Sequence, residues 1–339
     1  MRLKVERIIP NLRIHGIIND SFVTSRGYKI YKSEDNGETW NFSSRLPVQY
    51  YKQFLCKNRL VSRLSRMGIS QVKQIFKDKI LICCDGDMFV SDLSFSYFKR
   101  VNIPIRFFQL LDRSICVTSE YVYYGEYFPN VRRKEVNIFR SKDGLNWEVI
   151  YSFPERRIKH VHVLQYDTFS NKIWFSTGDV DNECILGFTD LDFQNLTVIG
   201  KNSQKWRALE FVFSEDCVYW GMDTPLVQSK LLVYNRKSKK VKEISDFGGP
   251  IYNIKKLDKG FILATATEGG NGEWDNKAHL WYSSNLYDWE DCISYEKDIF
   301  PSLFGFGRLL LCDNMKENIV VSGLGLKEID NKLLVYKIE

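Results

Sequence analysis

A short polar motif that recurs along the chain restricts its fold more than any other feature of the sequence. The full form is Ser33-Glu34-Asp35-Asn36-Gly37-Glu38-Thr39-Trp40, with shorter copies at 141–147 and 283–289 and a degenerate copy at 91–98. Each copy follows one β-forming run and precedes another. Ser and Asp side chains bond to turn backbone, and Gly or Asn tolerates positive φ. The motif therefore predicts hairpin turns whose closing aromatic ring packs on the core.

The spacing of the copies predicts a circular array of similar sheets. Ser33 and Ser91 are 58 residues apart, Ser91 and Ser141 are 50 apart, and Ser141 and Ser283 are 142 apart, or three steps of about 47. Steps of this length are typical of propeller blades. Two further turns are then expected near positions 188 and 235. We predict an all-β fold, one seven-bladed β-propeller domain over residues 1–339, with six blades as the alternative.

The two ends of the chain are predicted to meet in the last blade. The final strand, Leu333–Ile338, lacks an outer partner, and Arg2–Ile8 is a β-like run that can supply it. Pairing of the two chain ends in one blade is the usual way in which propellers close their ring. We therefore predict a ring closed by the N-terminal strand.

One insertion, at about 48–68, separates blades 1 and 2. Residues 50–67 carry five basic side chains and no acid, and their apolar residues fall near helical spacing. The basic residues are Lys52, Lys57, Arg59, Arg63 and Arg66. We predict one short helix at about 50–66. It would cap the channel, or it would offer a basic surface to an acidic glycan or an anionic membrane.

The recurrent motif resembles the Asp-box, or BNR, repeat of sialidase-like β-propellers. The resemblance implies a propeller scaffold in which the box residues are structural, because function resides in sites added to a fold. Sialidases use three arginines, a Tyr–Glu pair and an Asp. Here Arg13-Ile14-His15 only approximates their early Arg-Ile-Pro motif, and the sequence assigns no Tyr–Glu pair. The resemblance thus implies a glycan-active propeller rather than a true sialidase.

Acidic residues recur where the second strand ends in blades 3 to 6. They lie in the loops 125–130, 177–183, 221–225 and 267–274, which share one face of the propeller. Loops on a rigid scaffold commonly carry function. The structural alternative is a set of solvated loops tied together by ordinary salt bridges.

Basic residues occupy the starts of the innermost strands on the same face. His160 and His162 alternate, so both imidazoles point to one side of their strand, and histidine titrates near neutral pH. We predict as catalytic residues Glu126, His160, Asp179, Asp181 and Glu183. We predict as substrate-binding residues Arg13, Arg66, Tyr127, His162, Arg207, Trp220, Asp223 and Glu268.

Acids, bases and aromatic rings at one channel mouth suit a sugar ligand. Paired carboxylates can act as acid and base or nucleophile, and an arginine fork binds a substrate carboxylate. We predict a glycosidase or lyase that acts on an acidic or microbial polysaccharide. The alternative is a non-catalytic glycan-binding or assembly module of a polysaccharide-production system. No cofactor is predicted, although a divalent metal on His160 and His162, with Asp179 or Glu126 as third ligand, is left open.

Composition limits the other classes of function. A net charge of +6 is too small and too dispersed to indicate nucleic-acid binding. The eight cysteines include no C-x-x-C pair and no zinc spacing. Residues 1–6 do not indicate a signal peptide, because charges interrupt any apolar core, and no run approaches the ~18 apolar residues of a membrane span. We therefore expect a cytoplasmic monomer, with peripheral membrane contact through 50–67 as an option.

Overall fold

The computed structural model describes residues 3–102, 112–313, 315 and 318–338. Within these residues the chain forms seven antiparallel four-stranded sheets. Each sheet is one blade of a β-propeller, and its strands are named A to D from the central channel outward. The seven-bladed prediction is therefore confirmed, and the six-bladed alternative is excluded.

The strand bounds follow the repeat expected from the sequence. In blade 1, strands A to D are Arg13–Ile18, Ser21–Arg26, Lys29–Ser33 and Asn41–Arg45. In blade 2 they are Ile69–Phe76, Lys79–Cys84, Asp87–Ser91 and Lys99–Arg100. In blade 3 they are Ile115–Val117, Val122–Gly125, Val136–Ser141 and Glu148–Phe153. In blade 4 they are Val161–Asp167, Lys172–Thr177, Ile185–Thr189 and Thr197–Lys201. In blade 5 they are Phe211–Phe213, Cys217–Gly221, Ser229–Asn235 and Lys240–Phe247. In blade 6 they are Ile251–Lys256, Phe261–Thr265, Lys277–Ser283 and Glu290–Glu296. In blade 7 they are Arg308–Leu311, Asn318–Leu324, Lys332–Ile338 and Leu3–Pro10.

The last blade joins the two ends of the chain. Strand D of blade 7 is Leu3–Pro10, which pairs antiparallel with strand C from Leu3 opposite Ile338 to Pro10 opposite Lys332. Its inward residues Val5 and Ile9 pack against a core cluster that spans blades 6, 7 and 1. Closure by the N-terminal strand is confirmed.

The recurrent motif forms C–D turns held by their own side chains. The Ser33 hydroxyl donates to Asp35 and accepts the N–H of Gly37, at 2.7 and 2.8 Å. Hydrogen bonds from the hydroxyl and N–H of Thr39 hold the pKa of Asp35 below its usual range. The copies at 141 and 283 repeat these bonds. The turns expected near 188 and 235 join strands C and D of blades 4 and 5.

The core lies between neighbouring blades, because each sheet is covered on both faces. Strand B of blade 2 is buried on both sides, so it reads as the continuous apolar run Ile80-Leu81-Ile82-Cys83-Cys84 rather than as an alternating pattern. Trp174 of blade 4 packs near Trp220 of blade 5, each at most 1 % exposed. Packing of this kind fixes the blades around the channel.

The insertion folds into two helices where one was predicted. The first helix is Tyr50–Leu55 and the second is Arg59–Ser65. The chain breaks between them because the Asn58 side chain accepts the N–H of Val61 and so caps the second helix. One-turn 3₁₀ helices complete the described structure: Asp112–Ser114, Asp181–Glu183, Gln204–Trp206 and Ser302–Phe304. No helix in the described part of the chain combines the length and apolar character needed to cross a bilayer.

Ion pairs tie the insertion to blade 7. Arg59 donates to both carboxylate oxygens of Asp330, at 2.6 and 2.8 Å. Arg63 is buried, binds Asp298 and donates to the carbonyl oxygen of Phe304. These contacts hold the insertion, which follows blade 1, against the face of the propeller where the candidate site lies.

Candidate functional site

The candidate site lies at the mouth, the channel opening formed by the B–C loops and the connections that lead into each A strand. Six consecutive A strands bring polar side chains here, at or just before their first residues. These side chains are Arg13, Arg66, His160, His162, Arg207, Tyr252 and Arg308. Because A strands surround the channel, positions far apart in the sequence become neighbours at the mouth.

Three residues of blade 4, here called the histidine cluster, meet at one point. Nε2 of His160 lies 3.2 Å from Nε2 of His162 and 3.2 Å from Oδ1 of Asp179. Nε2 of His162 lies 3.1 Å from the same carboxylate oxygen and also contacts the carbonyl oxygen of Gly178. Both imidazoles are at most 3 % exposed, whereas the Asp179 side chain is 25 % exposed. The cluster is therefore buried except on the side of the carboxylate.

Charged partners surround the histidine cluster. Lys159 binds the second carboxylate oxygen of Asp179. Asp223, 2 % exposed, places Oδ2 at 3.5 Å from Nδ1 of His162 and at 3.2 Å from Nε of Arg207. The ring of Tyr127 lies against His160, with 4.0 Å between ring centroids. Four of the predicted site residues thus surround the His–His pair.

The electrostatics of this cluster favour neutral imidazole and ionised carboxylate. Burial lowers the pKa of His160 to about 4, against the opposing effect of Asp179. Burial by itself would raise the pKa of Asp179, but hydrogen bonds from both imidazoles outweigh it and hold that pKa far below its usual range. At neutral pH the His160 ring is therefore a lone-pair donor beside a carboxylate.

A hydrogen-bonded Tyr–Glu pair adjoins the cluster. The Tyr252 hydroxyl donates to Oε1 of Glu268 at 2.6 Å. Burial and the neighbouring charge of Asp223 raise the pKa of Glu268 to about 7, although Arg207 opposes the shift. A carboxyl with such a pKa exchanges protons at physiological pH, which suits a general acid or base.

A pocket of about 160 Å³ opens beside this pair. We call it the arginine pocket, because its lining includes Arg13, Arg66 and Arg308, together with Tyr127 and Tyr252. Arg59 and Arg63 also reach it, but Asp330 and Asp298 neutralise them. Among the described residues, Arg308 forms no ion pair. Burial and the charge of Arg308 lower the pKa of Arg66, so the pocket concentrates positive charge and favours an anion.

A larger cavity of about 500 Å³ adjoins the arginine pocket and shares Arg13, Arg59, Ser62, Met67, Gly68 and Leu324 with it. It extends outward beneath the insertion and is lined there by Tyr50 and Phe54. The two spaces therefore lie side by side at the mouth.

Other predicted site residues lie away from this convergence. The Glu126 carboxylate is fully buried and accepts the N–H of Asn137 at 2.7 Å. Glu183 pairs with Arg133, at 2.5 Å. The exposed Asp181 accepts a hydrogen bond from Gln204 at 2.9 Å. Trp220 is fully buried between blades 4 and 5, where a ligand at the mouth does not reach it.

Sequence reasoning missed Tyr252 and left Arg308 out of the binding set. Both stand at A-strand starts, the position that Arg13 and His162 occupy in other blades. Alignment of the blades by register would have selected Tyr252. The Tyr252–Glu268 contact itself had no sequence signal, since it joins strand A of blade 6 to the loop after strand B.

Replacing Glu268 by Gln should change how stability depends on pH. The folded-state pKa of about 7 lies above the ordinary glutamate value of 4.5, so the native state binds more protons between these values and wild-type stability falls as pH rises through that window. Glu268→Gln removes this slope and should stabilise the protein at pH 8 by on the order of 1–3 kcal/mol. Urea unfolding at pH 5 and pH 8 measures the effect.

The control for this prediction is Glu148→Gln, at an exposed carboxylate paired with Arg140 on an outer strand. It should keep the wild-type slope. Identical slopes for Glu268→Gln and wild type would show that Glu268 is ionised throughout the range.

Comparisons with known proteins identify the fold. No family model and no curated protein matches this sequence. Similar solved structures include the extracellular domain of the putative one component system BT4673 from B. thetaiotaomicron (TM-score 0.59, 10 % identity, 99 % of this chain and 40 % of that chain). YCF48 bound to D1 peptide (TM-score 0.58, 10 % identity, 100 % and 95 %) and a chain of the mitotic checkpoint complex (TM-score 0.56, 10 % identity, 99 % and 92 %) are also similar. This chain thus spans about two fifths of the BT4673 chain, and the similarity establishes a β-propeller.

Proposed function

We propose that this protein is a carbohydrate-active propeller that binds an acidic saccharide at the mouth. One observation carries the proposal: three arginines line a single pocket together with Tyr252, whose hydroxyl donates to Glu268. Guanidinium groups bind carboxylates in a bidentate fork, which orients the ligand as well as attracting it. The saccharide carboxylate would sit among Arg13, Arg66 and Arg308.

The same set supports the Asp-box resemblance of the turns. Sialidase-like propellers combine three arginines, a Tyr–Glu pair and an Asp. The chain offers Tyr252 with Glu268 for the pair and Asp179 or Asp223 for the acid. We infer that the turns are Asp-boxes and that the site is a variant of this plan.

The chemistry we propose is cleavage of a glycosidic bond next to the anchored carboxylate. Glu268 would exchange the proton that cleavage moves, because its pKa of about 7 keeps both forms populated at neutral pH. Tyr252 holds Glu268 by its hydroxyl and lines the pocket itself. Both hydrolysis and β-elimination need such a group.

A panel of oligosaccharides bearing uronic or sialic acid tests this proposal. Hydrolysis releases reducing ends alone, whereas elimination also gives an unsaturated product that absorbs in the ultraviolet. Glu268→Gln should lower turnover by about 100-fold or more, the range that general acid–base groups contribute. Glu148→Gln, on the outer strand, should retain full activity. Turnover that survives Glu268→Gln would refute the assignment.

Binding without turnover is the second candidate, a glycan-binding or assembly module. Three predicted catalytic acids favour it, because they serve as hydrogen-bond acceptors for the surrounding scaffold. They are Glu126, Asp181 and Glu183. YCF48, which has the same fold, was solved with a bound peptide. In that case the panel should show affinity at the arginine pocket and no product.

A further inference from the structure

We propose that the histidine cluster is a binding site for a divalent first-row transition metal ion. Its three candidate ligand atoms are Nε2 of His160, Nε2 of His162 and Oδ1 of Asp179, separated pairwise by 3.2, 3.2 and 3.1 Å. An ion bound at roughly 2.0–2.2 Å to each ligand holds neighbouring ligands about 3 Å apart. The triangle therefore has the dimensions of one face of a coordination polyhedron. This proposal does not depend on the saccharide.

The outer contacts of the cluster orient the ligands for metal binding. Nδ1 of His160 lies 3.3 Å from the carbonyl oxygen of Phe128, which can accept the ring proton when Nε2 binds a cation. Nδ1 of His162 faces the buried carboxylate of Asp223 at 3.5 Å. A carbonyl or carboxylate behind each imidazole is the arrangement that fixes the tautomer of metal-bound histidines. In that tautomer the two Nε2 atoms, 3.2 Å apart, can bind one cation.

The second carboxylate oxygen of Asp179 is held in the same way. Lys159 binds Oδ2, which leaves Oδ1 to face the two imidazoles. The carbonyl oxygen of Gly178 accepts a hydrogen bond from Nε2 of His162, which donates its proton there without a metal ion. A bound cation would take the place of that proton.

The donor set selects the kind of ion. Imidazole with carboxylate suits Zn²⁺, Fe²⁺, Co²⁺ or Ni²⁺, whereas Mg²⁺ and Ca²⁺ prefer oxygen ligands alone. Burial of both histidines limits water on the inner side. The partly exposed Asp179 opens the outer side of the site, where a metal with so few protein ligands keeps a position for water or a ligand oxygen.

Metal binding by the full chain tests the proposal. After removal of metal by a chelator, calorimetry should detect one equivalent of Zn²⁺ per chain, and Co²⁺ should give the visible absorption of a low-coordinate N/O site. Mg²⁺ should not bind. His160→Gln and Asp179→Asn should each weaken Zn²⁺ binding by more than about 100-fold, beyond the usual cost of an outer-shell change.

The matched control is His279→Gln, because His279 lies between Asp275 and Asp291 on blade 6, at 3.1 and 2.7 Å, but has no second imidazole. It should bind Zn²⁺ like wild type. Absence of saturable Zn²⁺ binding, or an equal loss of Zn²⁺ affinity in His279→Gln and His160→Gln, would overturn the proposal. The histidine cluster would then be a hydrogen-bonded group without a metal ion. Circular dichroism of each metal-free variant reports folding, and the partly exposed Asp179→Asn carries the test if a histidine variant unfolds.

Discussion

Deletion of residues 1–8 is expected to abolish cooperative folding. The deletion removes the described residues Leu3–Ile8 of the outer strand of blade 7, with their ladder to strand C. Each lost hydrogen bond contributes about 0.5–1.5 kcal/mol, and loss of Leu3 and Val5 exposes the core cluster they cover. The sum is comparable with a total stability of about 5–15 kcal/mol. Far-UV circular dichroism with a urea titration measures the loss.

A synthetic peptide of residues 1–10 should restore a folded signal when added to the truncated chain, because closure needs the strand and not its covalent continuity. The control is Lys4→Ala with Glu6→Ala in the full chain, which alters exposed side chains of the same strand and should change stability little. A truncated chain that melts like wild type would show that the ring closes without this strand.

Replacing Arg308 is expected to remove most affinity for an acidic saccharide. A charged hydrogen-bond pair is worth about 1.5–3 kcal/mol, so Arg308→Met should weaken binding about 10- to 100-fold. Arg308→Lys should recover only part, because an ammonium keeps the charge but loses the fork. Calorimetry with an oligosaccharide from the panel measures both.

The same substitution should leave the ligand-free protein at least as stable as wild type. Arg308 lowers the pKa of Arg66 by charge repulsion within the pocket, in addition to the effect of burial, so removing Arg308 relieves that repulsion. The matched control is Arg100→Met, at an exposed arginine paired with Asp87 on blade 2, which should not change binding. Unchanged affinity in Arg308→Met would remove this arginine from the site.

Much of the fold was predictable because the constraint is periodic and local. Serine, aspartate and a residue with positive φ close each turn within a few positions. The geometry of the turn at 33–40 can therefore be predicted from those residues alone. The single predicted helix was wrong in one respect, since the Asn58 cap splits it. The single helix was predicted from the spacing of basic and apolar residues, and this spacing does not show where a cap interrupts the helix.

The site was less predictable because its contacts cross blades. Acids at strand ends look alike in sequence, yet Glu183 is paired with Arg133 from the neighbouring blade while Asp179 meets two histidines. Which partner an acid finds depends on the ring geometry, which only the folded chain supplies. The alternation of His160 and His162 was the exception, because both imidazoles come from one strand.

The most direct test of the account compares one oligosaccharide in two forms, with its carboxylate intact and with that carboxylate reduced to an alcohol. Calorimetry on the wild-type protein should give saturable binding of the acid form, weakened by added salt, and at least about tenfold weaker binding of the reduced form. Equal affinity for the two forms, or no binding by any acidic oligosaccharide of the panel, would contradict recognition of an acidic saccharide at the arginine pocket.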